Sequence, residues 1–361
     1  MYGRKNQDVL RIIAIMQFNM DFDPRKFKIG VVGAGSWGTA LANLLAAKGY
    51  PIDLWVFEKE VKDQILAFRE NRIFLPDVKL SSNLHPTNDL AEVVSNKNLL
   101  VVVVPSHLMR EVTLKMASYV SKETIIVSAS KGIENKTHLT MTGVLKETLP
   151  EIPDHRLAAI SGPSFAREVA GKLPTVVTAA SRDLKIAGLI QQVFVTPYFR
   201  VYTSEHVIGI ELGGSLKNVI AIGAGMVDGL KLGLNARAAL ITRGITEIQR
   251  LGIKLGANPR ALTGLAGVGD LILTCTGYLS RNYTVGKEIG QGKKVSDILS
   301  EMRMVAEGVK TAKSVYNLSR KLKVDMPISH ETYRILYEDL SPREAVYRLM
   351  TRDLKQELDE E

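Results

Sequence analysis

Only one cysteine, Cys275, occurs in the 361 residues. An internal disulfide framework is therefore excluded, and the composition fits a reducing compartment, so a cytoplasmic location is expected. Cys275 stands in no nucleophile motif and reads as a small buried side chain. No segment reaches the ~18 consecutive apolar residues of a membrane span, so none is expected. The net charge is +9, yet no dense Lys/Arg run or nucleic-acid motif accompanies it. That argues against a nucleic-acid partner and for solubility and attraction of small anions. The six histidines show neither metal-ligand spacing nor a nucleophile pairing, so no metal is expected. Only His107, after Pro105-Ser106, falls where a site is expected. Repeats, low-complexity tracts and long linkers are missing too.

What is present is an ordinary globular composition, 45% hydrophobic and 24% charged. The length exceeds the ~250–300 residues at which single cores stop growing, which points to two domains. Residues 1–26 look unlike the rest. Arg4, Lys5 and the stretch Leu10–Met16 faintly resemble a signal peptide, but Arg11 interrupts the run and no small-residue cleavage site follows. A poorly ordered extension is expected there, with Met20 an alternative start.

Strand and helix signals alternate from residue 27 to 204. Strands are expected at Phe27–Val32, Ile52–Phe57, Leu99–Val104, Thr124–Ser128, Leu157–Ile160 and Pro174–Ala179, with helices at Thr39–Lys48 and Val61–Asn71. This alternation implies an α/β domain with a parallel, doubly wound sheet. From 205 to about 355 the helical period takes over, giving an all-α second domain.

Gly33-x-Gly35-x-x-Gly38 joins the first strand to the first helix, and Glu58 lies twenty residues past Gly38 at the end of the second strand. That context is the dinucleotide-binding fingerprint. The glycines permit the turn, the approach of the pyrophosphate and the packing of the helix, whose free amides meet the phosphates. A carboxylate at Glu58 accepts from a ribose 2′-OH and repels a 2′-phosphate, which favours NAD over NADP. Lys59 and Arg69 soften that repulsion, and a solvated strand-end charge is the plainer reading of Glu58.

In the helical half, Lys217 sits within the apolar run Ile208–Gly225. Burial disfavours its ammonium form and can tune it for proton transfer, although a snorkelling side chain is the bland alternative. Ala221, Ala224 and Asp228 share its helical face, and the small side chains are expected to leave room for a ligand. Asp228 lies roughly 16 Å along the axis, too far to neutralise Lys217. Asp270, in Gly267–Thr276, is a candidate partner for Lys217, against a turn or cap aspartate. Lys131 follows a strand at the carboxyl edge of the sheet, where ligands bind in open α/β sheets, unless it is a plain loop lysine. Ser161-Gly162-Pro163-Ser164 offers hydroxyls and amides. Ser280-Arg281-Asn282 opens a helix in a manner suited to a phosphate, or is a simple N-cap.

Together these segments resemble the NAD(P)-dependent glycerol-3-phosphate dehydrogenases of the bacterial soluble type. The segments that carry the likeness are Gly33–Ala40, Val102–His107, Ser130–Gly132, Ser161–Ala166, Leu216–Gly225, Asn235–Gly244, Gly269–Leu271 and Ser280–Asn282. The resemblance implies reversible hydride transfer between dihydroxyacetone phosphate and sn-glycerol 3-phosphate, feeding phospholipid synthesis, in a homodimer. It implies Lys217 as general acid/base with Lys131 and Asp270 beside it. Substrate contacts fall to Lys131, Gly162, Ser164, Lys217, Asn218, Asp270, Thr274, Ser280, Arg281 and Asn282. Cofactor contacts fall to Gly33, Gly35, Ser36, Trp37, Gly38, Phe57, Glu58, Pro105, Lys131, Ala166, Arg281, Val305 and Glu307. Phe57-Glu58 departs from the His or Arg of many bacterial members. Another two-domain β-hydroxyacid-type reductase, or a non-catalytic dinucleotide sensor, stays open as an alternative.

Overall fold

The structure is a computed structural model that describes residues 24–302, 306–354 and 356–357. The expected extension over 1–26 lies outside the described residues apart from a 3-10 turn at Pro24–Lys26. Val305 lies outside them as well.

The first half alternates strand and helix. In order it runs β1 (Ile29–Val32), α1 (Ser36–Ala47), β2 (Ile52–Trp55), α2 (Lys59–Phe68), β3 (Leu84–Thr87), α3 (Leu90–Val94), β4 (Leu99–Val102) and α4 (Met109–Met116). It continues with β5 (Ile125–Ser128), α5 (Met141–Thr148), β6 (Leu157–Ser161), α6 (Ala166–Ala170), β7 (Thr175–Ser181), α7 (Leu184–Phe194) and β8 (Phe199–Ser204). The eight strands form one sheet in the order β3-β2-β1-β4-β5-β6-β7-β8. Alternate residues of the central strands enter two separate cores. Leu99 and Val101 face one, and Leu100 and Val102 the other, and all four are fully buried. That double burial is why these strands read as unbroken β-branched and aliphatic runs.

The sheet differs from the expected parallel arrangement at its far end, because β7 pairs antiparallel with β6 and β8 runs parallel to β7. Two strands were not anticipated, and both lie at edges. β3 contains Pro86, which only an edge strand tolerates, and β8 alternates buried with exposed positions over its first four residues. The helix expected over Val61–Asn71 ends at Phe68, where Arg69 adopts a left-handed backbone, φ +55°.

Among the described residues beyond β8, the ordered elements are helical: α8 (Val207–Gly229), α9 (Leu234–Lys254), α10 (Pro259–Leu262), a π-helical turn (Leu265–Gly269) and α11 (Asp270–Thr276). They continue with α12 (Arg281–Gly290), α13 (Val295–Glu301), α14 (Glu307–Leu322), α15 (Pro327–Tyr337) and α16 (Pro342–Met350). By length and composition α8 is apolar enough to cross a membrane, but 94% of its apolar window is buried inside the protein. It is the axle around which α9, α11, α12, α14 and α15 pack.

The small residues of α8 serve that packing and leave no ligand room of the kind expected. Ala221 and Ala224 are fully buried. A Cβ on Gly225 would lie 2.1 Å from the Tyr283 carbonyl oxygen, and one on Gly286 would lie 1.9 Å from that of Ile222. The backbones of α8 and α12 therefore touch, which fixes the start of α12 relative to Lys217. Gly286→Ala must drive the two helices apart. It is expected to cost at least about 1–3 kcal/mol of stability in chemical denaturation, the usual range for overpacking.

Candidate active site

The strand order reverses between β1 and β4, and at this switch point the carboxyl ends of two adjacent strands diverge. Gly33 follows β1 with φ +114°, and a Cβ there would strike the Val103 carbonyl oxygen at 2.6 Å. A Cβ on Gly38 would meet the Gly33 oxygen at 1.9 Å, so helix and turn are in contact. Gly35 is different. It is the N-cap of α1 with φ −65°, and a Cβ there would meet nothing within 4 Å. Its cramping neighbours and its own open face fit the approach of a pyrophosphate to the helix amides. Trp37, two residues on, holds a buried Nε1–H that has no partner. Such a donor fits a polar group of a bound dinucleotide. Ser36 donates to the Phe74 carbonyl at 2.5 Å.

Phe57 and Glu58 follow β2 at the same edge of the sheet. Phe57 is 75% exposed and Glu58 is the N-cap of α2. Pro105 precedes the turn Ser106–Leu108 after β4, and Ala166 begins α6, which packs on α1.

The titratable centre forms where this edge meets α8 and α11. Lys217 is 6% exposed and Asp270 is 1% exposed. The Lys217 Nζ lies 2.5 Å from Asp270 Oδ1 and donates to Thr274 Oγ1 at 2.7 Å. Lys131, from the loop after β5, reaches the other carboxylate oxygen, Oδ2, at 2.6 Å and lies 3.4 Å from the Gly162 carbonyl. Asp270 thus bridges two lysines. Burial lowers the Lys217 pKa from 10.5 to about 8; the Asp270 charge opposes that fall and Lys131 adds to it. Lys217 is neither snorkelling nor free, and Asp270 is no mere cap. Thr274 is locked in turn by donating to the Asp270 carbonyl at 2.6 Å.

The loop Gly162–Ser164 lies beside Lys131, and Ser164 donates to the Gly162 oxygen at 3.0 Å. Asn218 is buried next to Lys217, with its carbonyl against Gly308 of α14. Ser280 is the N-cap of α12, accepting from the Tyr283 amide at 3.2 Å. Asn282 accepts from the Gly308 amide at 2.9 Å, so its Oδ1 is used and its amino group is the remaining donor. Arg281 stands at the first position of α12, with part of its side chain exposed and protein crowded around its guanidinium. Desolvation lowers its proton affinity while Glu307 supports its charge. Asp228, one of the residues on the Lys217 face, pairs instead with Arg237 at 2.6 Å and Tyr283 at 2.5 Å.

Three contacts were not anticipated. Ser106, not His107, reaches across the cleft: Ser106 is buried and donates to Glu307 Oε2 at 2.6 Å, while His107 is exposed. Burial raises the Glu307 pKa, opposed by the Ser106 hydrogen bonds and Arg281. Asn71, fully buried, donates to the Ala34 oxygen and to Thr39, both at 2.8 Å, and so braces the glycine turn. Ser215 holds Gly132. The signal for Ser106 lay in Pro105-Ser106-His107, where the more reactive side chain drew attention. Cys275 is fully buried beside this cluster, and its thiol pKa is pushed up to about 12 by burial. Among the described residues no three His, Cys, Asp or Glu side chains are arranged to hold a metal.

Two family models match the chain. One, described as the NAD-dependent glycerol-3-phosphate dehydrogenase N-terminus, covers residues 28–187, and the other, its C-terminus, covers 206–347. The glycerol-3-phosphate dehydrogenase [NAD(P)+] of Syntrophobacter fumaroxidans is 55% identical over 331 residues, 92% of this chain and 97% of the relative. That of Citrifermentans bemidjiense is 56% identical over 330 residues, 91% and 98% of the two chains. The crystal structure of glycerol-3-phosphate dehydrogenase from Coxiella burnetii superposes with a TM-score of 0.88 at 39% identity, covering 91% of this chain and all of that one.

Gly35→Ala separates folding from binding at the glycine turn. Backbone and space both accept the methyl group, so thermal unfolding is expected to match wild type. NADH affinity, measured by fluorescence titration, is expected to fall at least about tenfold as the methyl blocks the phosphate approach.

Proposed function

The chain belongs to the NAD-dependent glycerol-3-phosphate dehydrogenases, and from that premise we propose how its own residues divide the work. It is an NAD(P)-dependent oxidoreductase interconverting dihydroxyacetone phosphate and sn-glycerol 3-phosphate. The observation that carries the assignment of roles is the buried bridge Lys217–Asp270–Lys131.

When bound, the reduced nicotinamide supplies the hydride that the ketone carbon receives. Lys217 donates the proton that the ketone oxygen needs as its negative charge develops. Asp270 and Thr274 fix the direction of its Nζ, and Lys131 places a second positive charge beside the same oxygen. In the reverse direction neutral Lys217 takes the proton from the alcohol. Arg281 and the free amino group of Asn282, at the amide-rich start of α12, grip the substrate phosphate, together with Gly162, Ser164, Asn218 and Ser280 around the loop and helix start. Binding energy from the phosphate is thereby used to orient the reacting carbon.

Gly33, Gly35, Ser36, Trp37 and Gly38 hold the pyrophosphate side of the cofactor. Phe57 and Glu58 face the adenosine end, with Pro105, Lys131, Ala166, Arg281 and Glu307 around the rest. Glu58 favours NAD over NADP by repelling a 2′-phosphate. We place the unit border at 204/205, between a dinucleotide-binding unit of 27–204 and a helical substrate unit of 205–355, on the grounds that β8 ends at Ser204 and α8 begins at Val207. A cytoplasmic homodimer that supplies phospholipid synthesis completes the proposal, on the family resemblance and the lone buried thiol.

With dihydroxyacetone phosphate and NADH, kcat/KM is expected to fall as pH rises through about 8, because the acid form of Lys217 is lost. Oxidation of glycerol 3-phosphate is expected to rise across the same interval. Lys217→Ala is expected to lower kcat by about 10²–10⁴, the usual worth of a positioned acid, with NADH affinity unchanged. Near-normal turnover would remove Lys217 from the chemistry.

A further inference from the structure

Lys131 belongs to the first half of the chain and Lys217 to the second, so their common carboxylate needs the β5–α5 loop to be held in register with α8. The residue after Lys131 is Gly132, whose φ of +156° lies at the glycine end of the backbone map. A Cβ there would strike Ser106 at 2.4 Å, so the loop is wedged from one side. From the other side it is bonded. The Gly132 amide donates to Ser215 Oγ at 2.8 Å, a buried contact. The Ser215 hydroxyl lies 2.7 Å from the Glu211 carbonyl and 3.2 Å from the Gly132 carbonyl.

One helical turn before Ser215, the Glu211 carboxylate takes the far end of the same loop. Its Oε1 accepts from the Thr142 amide at 2.8 Å and its Oε2 from the Thr142 hydroxyl at 2.5 Å, at the start of α5. Glu211 and Ser215 are four residues apart on α8, so one face of the helix grips both ends of residues 132–142. Both side chains are more than nine-tenths buried. Their hydrogen bonds go to this loop and along α8, not to Lys131, Asp270 or Lys217, and general stability does not require that both grips fall on the helix that carries Lys217.

We propose that Ser215, backed by Glu211, is a positioning residue for the dehydrogenase reaction. It sets the Lys131 ammonium against Asp270 by clamping Gly132 to the helix of Lys217. This rests on the roles given above to Lys131, Asp270 and Lys217. Removing the hydroxyl leaves the Gly132 amide without its partner, and the loop shifts to satisfy it. A displacement of about 1 Å at such a distance from the chemistry costs on the order of 100-fold in rate.

The test is Ser215→Ala in the full-length enzyme, beside Ser314→Ala. Ser314 is equally buried and bonds the same loop through the Ile133 carbonyl and Asn135, at 2.8 and 2.9 Å, without touching Gly132. Ser215→Ala is expected to lower kcat about 10- to 100-fold, to leave NADH affinity within about twofold, and to move the basic limb of kcat/KM to higher pH. The limb moves because Lys131 no longer depresses the proton affinity of Lys217, while Asp270 still raises it. Ser314→Ala is expected to keep the wild-type limb. Equal effects from the two variants, or a Ser215→Ala limb that stays in place, would overturn the clamp. If the alanine variant does not fold, Ser215→Cys supplies the comparison with a weak acceptor of similar shape and the same direction of change. A wild-type profile without a basic limb near 8 would defeat the role of Lys217 itself, so the two failures are distinguishable.

Discussion

The carboxylate of Asp270 receives two ammonium groups that come from opposite halves of the chain, Lys217 on one oxygen and Lys131 on the other. Two cations and one anion leave an excess positive charge in a buried place. Water reaches Lys131 only in part, Lys217 is buried, and among the described residues neither lysine pairs with a second carboxylate. In the proposed reaction, the ketone oxygen that becomes negative during reduction is the missing counter-charge. The site is thus less well satisfied before reaction than at the moment of hydride transfer, which is the condition for lowering a barrier. Desolvation makes Lys217 willing to release its proton, and Asp270 keeps that release within the neutral range.

For this bridge to form, α8 must carry Lys217 into the centre of the helical half, and α11 and α12 must approach it closely. Glycines make this possible. Where α8 meets α12, carbonyl oxygens occupy the space that Cβ atoms would need. The apolar, glycine-rich surroundings of Lys217 are therefore scaffold. They give the lysine its desolvation and set the start of α12, where we propose that the phosphate binds, beside it. The π-helical turn just before Asp270 places that carboxylate against the same helix.

Much of this was legible in the sequence because it is local. Gly33-x-Gly35-x-x-Gly38 carries its meaning within six residues, and a lysine in an apolar run advertises its own cost. Asp270 was recognisable as a partner because few other carboxylates lie in such a segment. Contacts between distant residues were not legible. Ser106 and Glu307 are 201 positions apart, and serine is too common to signal a bond. Asn71 looked like the tail of a helix, whereas the left-handed Arg69 ends that helix and frees Asn71 to brace the glycine turn. The reversal of β7 leaves no trace in composition, since a strand buried on both faces looks the same in either direction. The alanine and glycine stripe was misjudged for a related reason: small residues permit a ligand or a neighbouring backbone equally well, and only packing decides.

The central claim is that Asp270 holds up the proton affinity of Lys217 against the larger, opposing effect of burial. The pH dependence of kcat/KM for dihydroxyacetone phosphate, measured with Asp270→Asn beside wild type, tests it most directly. The amide keeps the size of the carboxylate and removes its charge, so the basic limb is expected to move from near 8 to lower pH. A limb that stays where it is, or moves to higher pH, would contradict the account.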